Sequence, residues 1–289
     1  MVINCNKIEI NLEKITDVMK SNKYVSNKVD VFSLTKEEKL EREYVEKYNS
    51  FPVVTLFDEL IEMDKDIPEQ QYYIDWYLYK CYEWIEAGKA NFKNNQNEWD
   101  KIQWTETVVK VLRDRASRTY YSRMMELYII AIIKEYLPDI NIYSNPVLDI
   151  YGAVDIMLFN QQKQKVIYAH VLKESYTTKN QLNTKSVERR NFYYKDVEKN
   201  KRYDFTIDRD FSAHTVLTYG NRGKSENING YLVPTPESII NQITAEFDRT
   251  DLENVEYPEY LLKLVDAVSE AFPEIFFIDL SNNDYSLVS

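Results

Sequence analysis

Two apolar runs constrain this chain more than anything else in it. One is MMELYIIAII at 124–133, inside the helical stretch SRTYYSRMMELYIIAIIKEYLP, and the other is KVIYAHVL at 165–172. A strand that is apolar at nearly every position, without alternation, belongs in the middle of a sheet, covered on both faces. The helix before it must be packed against something of the same kind. Between them lies a third apolar stretch, GAVDIMLF, closed by the polar turn NQQKQK.

Charged residues sit inside this apolar frame in a definite order. Glu126 lies within the helix, Asp155 in the short strand, and Lys173 at the end of the strongly apolar strand. A carboxylate among apolar neighbours must be desolvated, and without compensation that costs several kcal/mol. Such a cost is usually retained for a metal ion or for chemistry. For Glu126 the structural alternative is an ion pair with Arg123, three residues earlier on the same helix. For Asp155 it is a turn after Gly152, for His170 a satisfied core histidine, and for Lys173 a solvated strand end.

At 289 residues the chain has room for one large domain or two small ones. Its formal charge of −11 repels phosphate backbones at long range and disfavours a nonspecific nucleic-acid coat. A local cluster of Lys and Arg still acts within a Debye length of ~8–10 Å, so a nuclease is compatible with that charge. Cys5 and Cys81 form no CxxC pair, which argues against a disulfide framework or zinc knuckle and for a reducing, cytoplasmic location. No run reaches the ~20 apolar residues that cross a membrane, and MVINCNKIEINLEK lacks the apolar core of a signal peptide.

Residues 1–104 read as a mostly helical N-terminal region. Thr35 is placed to cap TKEEKLEREYVEKYNS, and QQYYIDWYLYKCYEWIEAGKANF carries aromatics at helical spacing. That spacing favours a helix packed through its rings over a base-stacking platform, which needs positive charge beside it. KNNQNEWDKIQW reads as a loop or a helix start. Residues 105–250 form the core: a helix over 117–137, strands in INIYSNPVLDI, GAVDIMLF and KVIYAHVL, a helix in SVERRNFYYKDVEK, a strand in AHTVLTYG, the loop NRGKSENING, the short strand YLVP, and a helix opened by Pro236. Residues 251–289 add the helix YPEYLLKLVDAVSEAF and the strand IFFIDL. The fold class is α/β or α+β, a mixed central sheet flanked by helices.

The order of elements and the acidic placements over residues 117 to about 248 resemble the PD-(D/E)XK superfamily, the restriction-endonuclease-like fold. The resemblance implies a helix Glu, matched by Glu126, and an Asp at the start of the second core strand, matched by Asp155. It also implies an acidic-or-amide-x-Lys dyad in the third strand, and there the chain departs. AHVLK offers Lys173 without the acidic partner two residues before it, and His170 three before it. Carried over residue by residue, Glu126 and Asp155 would hold Mg²⁺ or Mn²⁺ with His170 as an atypical third ligand, and Lys173 would stabilise charge or orient water. Residues i and i+3 of a regular strand face opposite ways, so His170 and Lys173 share a site only across a β-bulge.

The expected activity is a metal-dependent DNA endonuclease. The basic stretch that follows, with Lys185, Arg189, Arg190 and Lys195 among Phe192, Tyr193 and Tyr194, is the expected phosphate-contacting element. The alternative is the same restriction-endonuclease-like core without a working site, a structural or protein-interaction module of a phage or mobile element. It would assemble with a second copy or a protein partner, and the broken dyad and acidic charge favour it.

Overall fold

The computed structural model describes residues 11–47, 55–88, 90–93, 99–144, 155–173, 192–196, 201–205, 214–220, 223–250, 278–279 and 286–287. The chain divides into two compact units, one of Val18–Met124 and one of Met1–Asp17 with Met125–Ser289.

The Val18–Met124 unit takes in the end of α1 (Leu12–Ser21), α2 (Lys36–Lys47), α3 (Thr55–Asp64), α4 (Gln70–Glu86) and the first part of α5 (Glu106–Tyr136). Thr35 begins α2 as expected, in a reciprocal cap. The Glu38 N–H donates to Thr35 Oγ1 at 3.2 Å, and the Thr35 N–H donates to Glu38 Oε2 at 2.7 Å. The centre is aromatic: Phe57, Tyr73, Tyr77 and Tyr120 are fully buried, and the Phe57–Tyr73 and Phe57–Tyr120 rings meet edge to face at 5.5 and 5.8 Å. Such pairs add roughly 0.5–1.5 kcal/mol beyond the area they bury. The α4 helix is therefore ring-packed on one face, as its spacing predicts.

Buried Gln70 ties a loop to this core. Its amide donates to the Val25 C=O at 2.7 Å and to Ser117 Oγ at 2.9 Å, and its carbonyl accepts from the Val25 N–H at 2.9 Å. Two expectations are corrected here. The segment read as a loop or helix start contains a hairpin, β1 (Asn91–Lys93) with β2 (Trp99–Lys101). The long helix starts at Glu106 instead of Ser117, where Thr105 Oγ1 accepts from the Val108 N–H at 3.2 Å. Mixed polarity in TETVVKVLRDRA hid a sound N-cap.

In the other unit the last part of α5 is buried on all sides, with every residue from Met125 to Ile133 at most 6% exposed. A turn closed by the Ile140 N–H on the Leu137 C=O (3.0 Å) leads into the sheet. Its central strands are β3 (Ile140–Ser144), β4 (Ile156–Asn160), β5 (Lys165–Lys173) and β8 (His214–Tyr219), adjacent in that order. The first three form an antiparallel meander, and β8 lies parallel to β5. The two-residue strands β11 (Ile278–Asp279) and β12 (Ser286–Leu287) extend the sheet beyond β3. The apolar KVIYAHVL is thus an inner strand, as its composition predicts, and IFFIDL does supply a strand.

Register assigns the faces. Ile142, Leu158 and Ile167 line up across β3, β4 and β5, and Val171 lies beside Leu217, on a face where all of them are buried. The opposite face holds Met157, Phe159 and Tyr168, then opens toward half-buried His170 and Leu172.

Strands β6 (Phe192–Asp196) and β7 (Lys201–Phe205) pair antiparallel, where a helix was expected over SVERRNFYYKDVEK. Three successive aromatics in NFYYKD favour extended backbone, and that preference prevails over the spacing of the charges. A second hairpin joins β9 (Ser225–Ile228) to β10 (Tyr231–Pro234) through Asn229-Gly230, so part of the expected loop NRGKSENING is a strand. The expected helix over Pro236–Phe247, α6, has Pro236 in its first turn and Thr235 as N-cap. Its Gln242 reaches β8: the amide oxygen accepts from the Thr218 N–H at 2.8 Å and the amide nitrogen donates to the Thr218 C=O at 3.2 Å. The helix expected in YPEYLLKLVDAVSEAF lies outside the described residues.

Candidate active site at one end of the sheet

Because β4 runs antiparallel to β5 and β8 runs parallel to it, the start of β4 and the ends of β5 and β8 share one end of the sheet. Asp155, His170 and Lys173 all belong to that end. Open sheets with parallel strands commonly bind ligands outside the carboxyl ends of those strands.

Asp155 stands one residue before β4. Its N–H donates to the Ala169 C=O at 3.1 Å, and its Oδ2 accepts from the Val171 N–H at 2.5 Å. Extending the β4–β5 register by one residue puts it across from His170. Backbone N–H groups lie in the plane of a sheet, so the carboxylate sits near that plane, just beyond the end of β4.

Pairing of β5 with β8 runs one to one from Tyr168 through Lys173. The bulge that would turn His170 and Lys173 to a common face is therefore not there. His170 is half-buried on one face, and Lys173, exposed, belongs to the other with Val171. Lys173 lies beside Tyr219, and its stem crosses Gly220, whose φ is +94°. A Cβ at Gly220 would come within 3.3 Å of Lys173 Cγ and 3.4 Å of Leu232 Cδ2. The Gly220 N–H donates to Ser225 Oγ at 2.8 Å, which fixes the chain as it leaves β8.

Glu126 is 6% exposed. Arg123, three residues earlier on the same helix, binds Asp58 of α3 at 2.7 Å. Two positions further along α5, burial, followed by the Glu226 carboxylate on β9, raises the Tyr128 phenol to about 12.

The donor chemistry suits a hard cation in part. Carboxylate oxygens fit Mg²⁺ or Mn²⁺. Among the described residues, however, no group of three or more His, Cys, Asp or Glu side chains is placed to hold a metal ion, so Glu126, Asp155 and His170 do not form a three-ligand set. A cation at Asp155 would complete its shell with water, backbone oxygens or phosphate oxygens of a substrate, as Mg²⁺ commonly does.

Of the expected phosphate contacts, Lys195 falls in β6, while Lys185, Arg189 and Arg190 lie outside the described residues. Gln242, Gly220 and Ser225 escaped the sequence reading. Only Gly220, directly after an apolar strand, carried a local sign of its role. No helix among the described residues is long and apolar enough to cross a membrane. No family model, no curated protein and no solved structure matches this chain.

Proposed function

We propose that the unit containing the sheet is a metal-dependent DNA phosphodiesterase of the restriction-endonuclease-like kind. The observation that carries this reading is the order α5, β3, β4, β5, β8, with β3 to β5 an antiparallel meander and β8 parallel to β5. It is joined by a buried Glu on the helix, an Asp at the start of the second strand and a Lys at the end of the third.

Simple lengths support a shared site. Glu126 lies ten residues before Tyr136, about 15 Å back along the helix at ~1.5 Å per residue. From Ile140, β3 advances roughly 13 Å at ~3.3 Å per residue toward the Asp155 end. A helix returning along the sheet would bring Glu126 level with Asp155.

Asp155 and Glu126 would hold the cation, which when bound polarises the scissile phosphate and acidifies water. Lys173, with its stem across Gly220, places a positive charge beside the phosphate without crowding the backbone. His170, on the other face, orients neighbours instead of completing the metal shell.

A second reading is a non-catalytic module, favoured by one observation: the Asp155 carboxylate already satisfies the Val171 N–H that β4 leaves behind. Asp155→Asn separates the two, since an amide oxygen can accept the same bond. With supercoiled and single-stranded DNA in Mg²⁺ or Mn²⁺, the nuclease reading expects wild-type cleavage and at least a hundredfold loss in Asp155→Asn at little cost in stability. Absence of cleavage by wild type under all these conditions sinks the nuclease and leaves the module.

A further inference from the structure

The outward face of α4 joins aromatic rings to carboxylates in a way the ring-packed core does not require. Tyr72, Tyr79 and Tyr82 are 45, 51 and 42% exposed, beside half-buried Trp76. From Asp58 to Glu86 the chain carries nine carboxylates against two lysines, Lys65 and Lys80. Nine carboxylates and two lysines leave this stretch, two helices and their connection, at a net −7 against −11 for the whole chain.

The rings and acids are in contact. Tyr79 donates to Glu83 Oε1 at 2.7 Å, the Asp64 carboxylate acts on Tyr72, and the Trp76 and Tyr79 rings lie 5.9 Å apart. This surface already holds one ammonium. Lys80 Nζ sits 4.7 Å from the centre of the Trp76 ring and 3.9 Å from Glu83 Oε2. A cation over a ring face is attracted by its quadrupole, and a flanking carboxylate reinforces that attraction.

We propose that this face of α4 docks a Lys- or Arg-rich polypeptide segment, with Trp76 and Tyr79 stacking its cations and Asp75 and Glu83 pairing with them. Charge chooses this occupant over nucleic acid, whose phosphates these carboxylates repel. The rings set it apart from plain electrostatic attraction. Lys80 acts as a resident competitor that an incoming cation displaces from Trp76.

The test titrates the full chain against a fluorescent Lys/Arg-Ser dodecapeptide and reads anisotropy, with Glu/Ser and Gly/Ser dodecapeptides alongside. Only the cationic peptide is expected to bind. Tyr79→Ser and Trp76→Leu, which keep the net charge, should each weaken it about two- to fivefold. Lys80→Met, which keeps the stem and frees the ring, should tighten it. Glu37→Lys, on the exposed start of α2, measures the purely electrostatic share. Tyr79 is more than half exposed, so its replacement leaves the fold intact even where Trp76→Leu does not. Failure of the cationic peptide to bind, equal binding of the neutral peptide, or affinity that follows Glu37→Lys but not Tyr79→Ser would overturn the proposal.

Discussion

Glu126 is the only charged side chain in nine consecutive residues of which none is more than 6% exposed. A buried carboxylate must be desolvated, and its surroundings decide how much of that cost is offset. Glu126→Gln keeps shape and hydrogen-bonding capacity while removing the charge. On the nuclease reading it should abolish metal-dependent cleavage while the protein stays folded. A calorimetric scan beside the DNA assay checks both, and a large loss of stability with cleavage retained would mean that the charge serves the fold. Cys81 shows the opposite economy. Burial raises its thiol to about 12, against about 8.5 for a free cysteine. The folded value lies above the unfolded one, so this group's contribution is complete below about pH 8.5 and is lost as pH rises through about 12. In a Cys5→Ser background, Cys81 should react with a thiol reagent at pH 8 only at the rate of unfolding.

At the level of elements, the turn after β8 carries a constraint that one substitution can expose. Gly220→Ala meets both a positive φ and the stems of Lys173 and Leu232. It should destabilise by more than about 1 kcal/mol in urea titration and, on the nuclease reading, displace Lys173 enough to lower turnover. Much of the sheet was legible beforehand, because composition decides the fate of a strand such as KVIYAHVL, which has nowhere to go but an interior position. Asp155 and Lys173 at the strand ends followed from the same pattern. Where the reading failed, local preferences competed. In NFYYKD the aromatics' liking for extended chain overrode helical charge spacing, and in TETVVKVLRDRA a polar start concealed eleven further residues of helix. That His170 and Lys173 face opposite ways follows from their spacing, but that no bulge reverses it needed the register with β8, a long-range pairing that no local window contains.

For the whole molecule, the distribution of charge matters more than its sum. A formal charge of −11 argues against a protein that coats DNA. Yet carboxylates crowd between Asp58 and Glu86, while Lys185, Arg189, Arg190 and Lys195 fall in the stretch after β5. The chain thus carries phosphate-repelling and phosphate-attracting charge in separate stretches of its sequence. Raising salt should therefore weaken any DNA binding and any cationic-peptide binding independently.

The pairing of Gln242 with Thr218 has a consequence for life in a crowded solution. Among the described residues β8 ends the order of strands, and an outermost strand is a template onto which another chain can be added, copy after copy. By filling both hydrogen-bonding positions of Thr218 with its amide, Gln242 denies a neighbour the foothold from which such growth would begin. Gln242→Ala should leave the fold intact yet give larger, concentration-dependent assemblies than wild type in sedimentation or light scattering. A single side chain on α6 would then decide whether this protein stays dispersed.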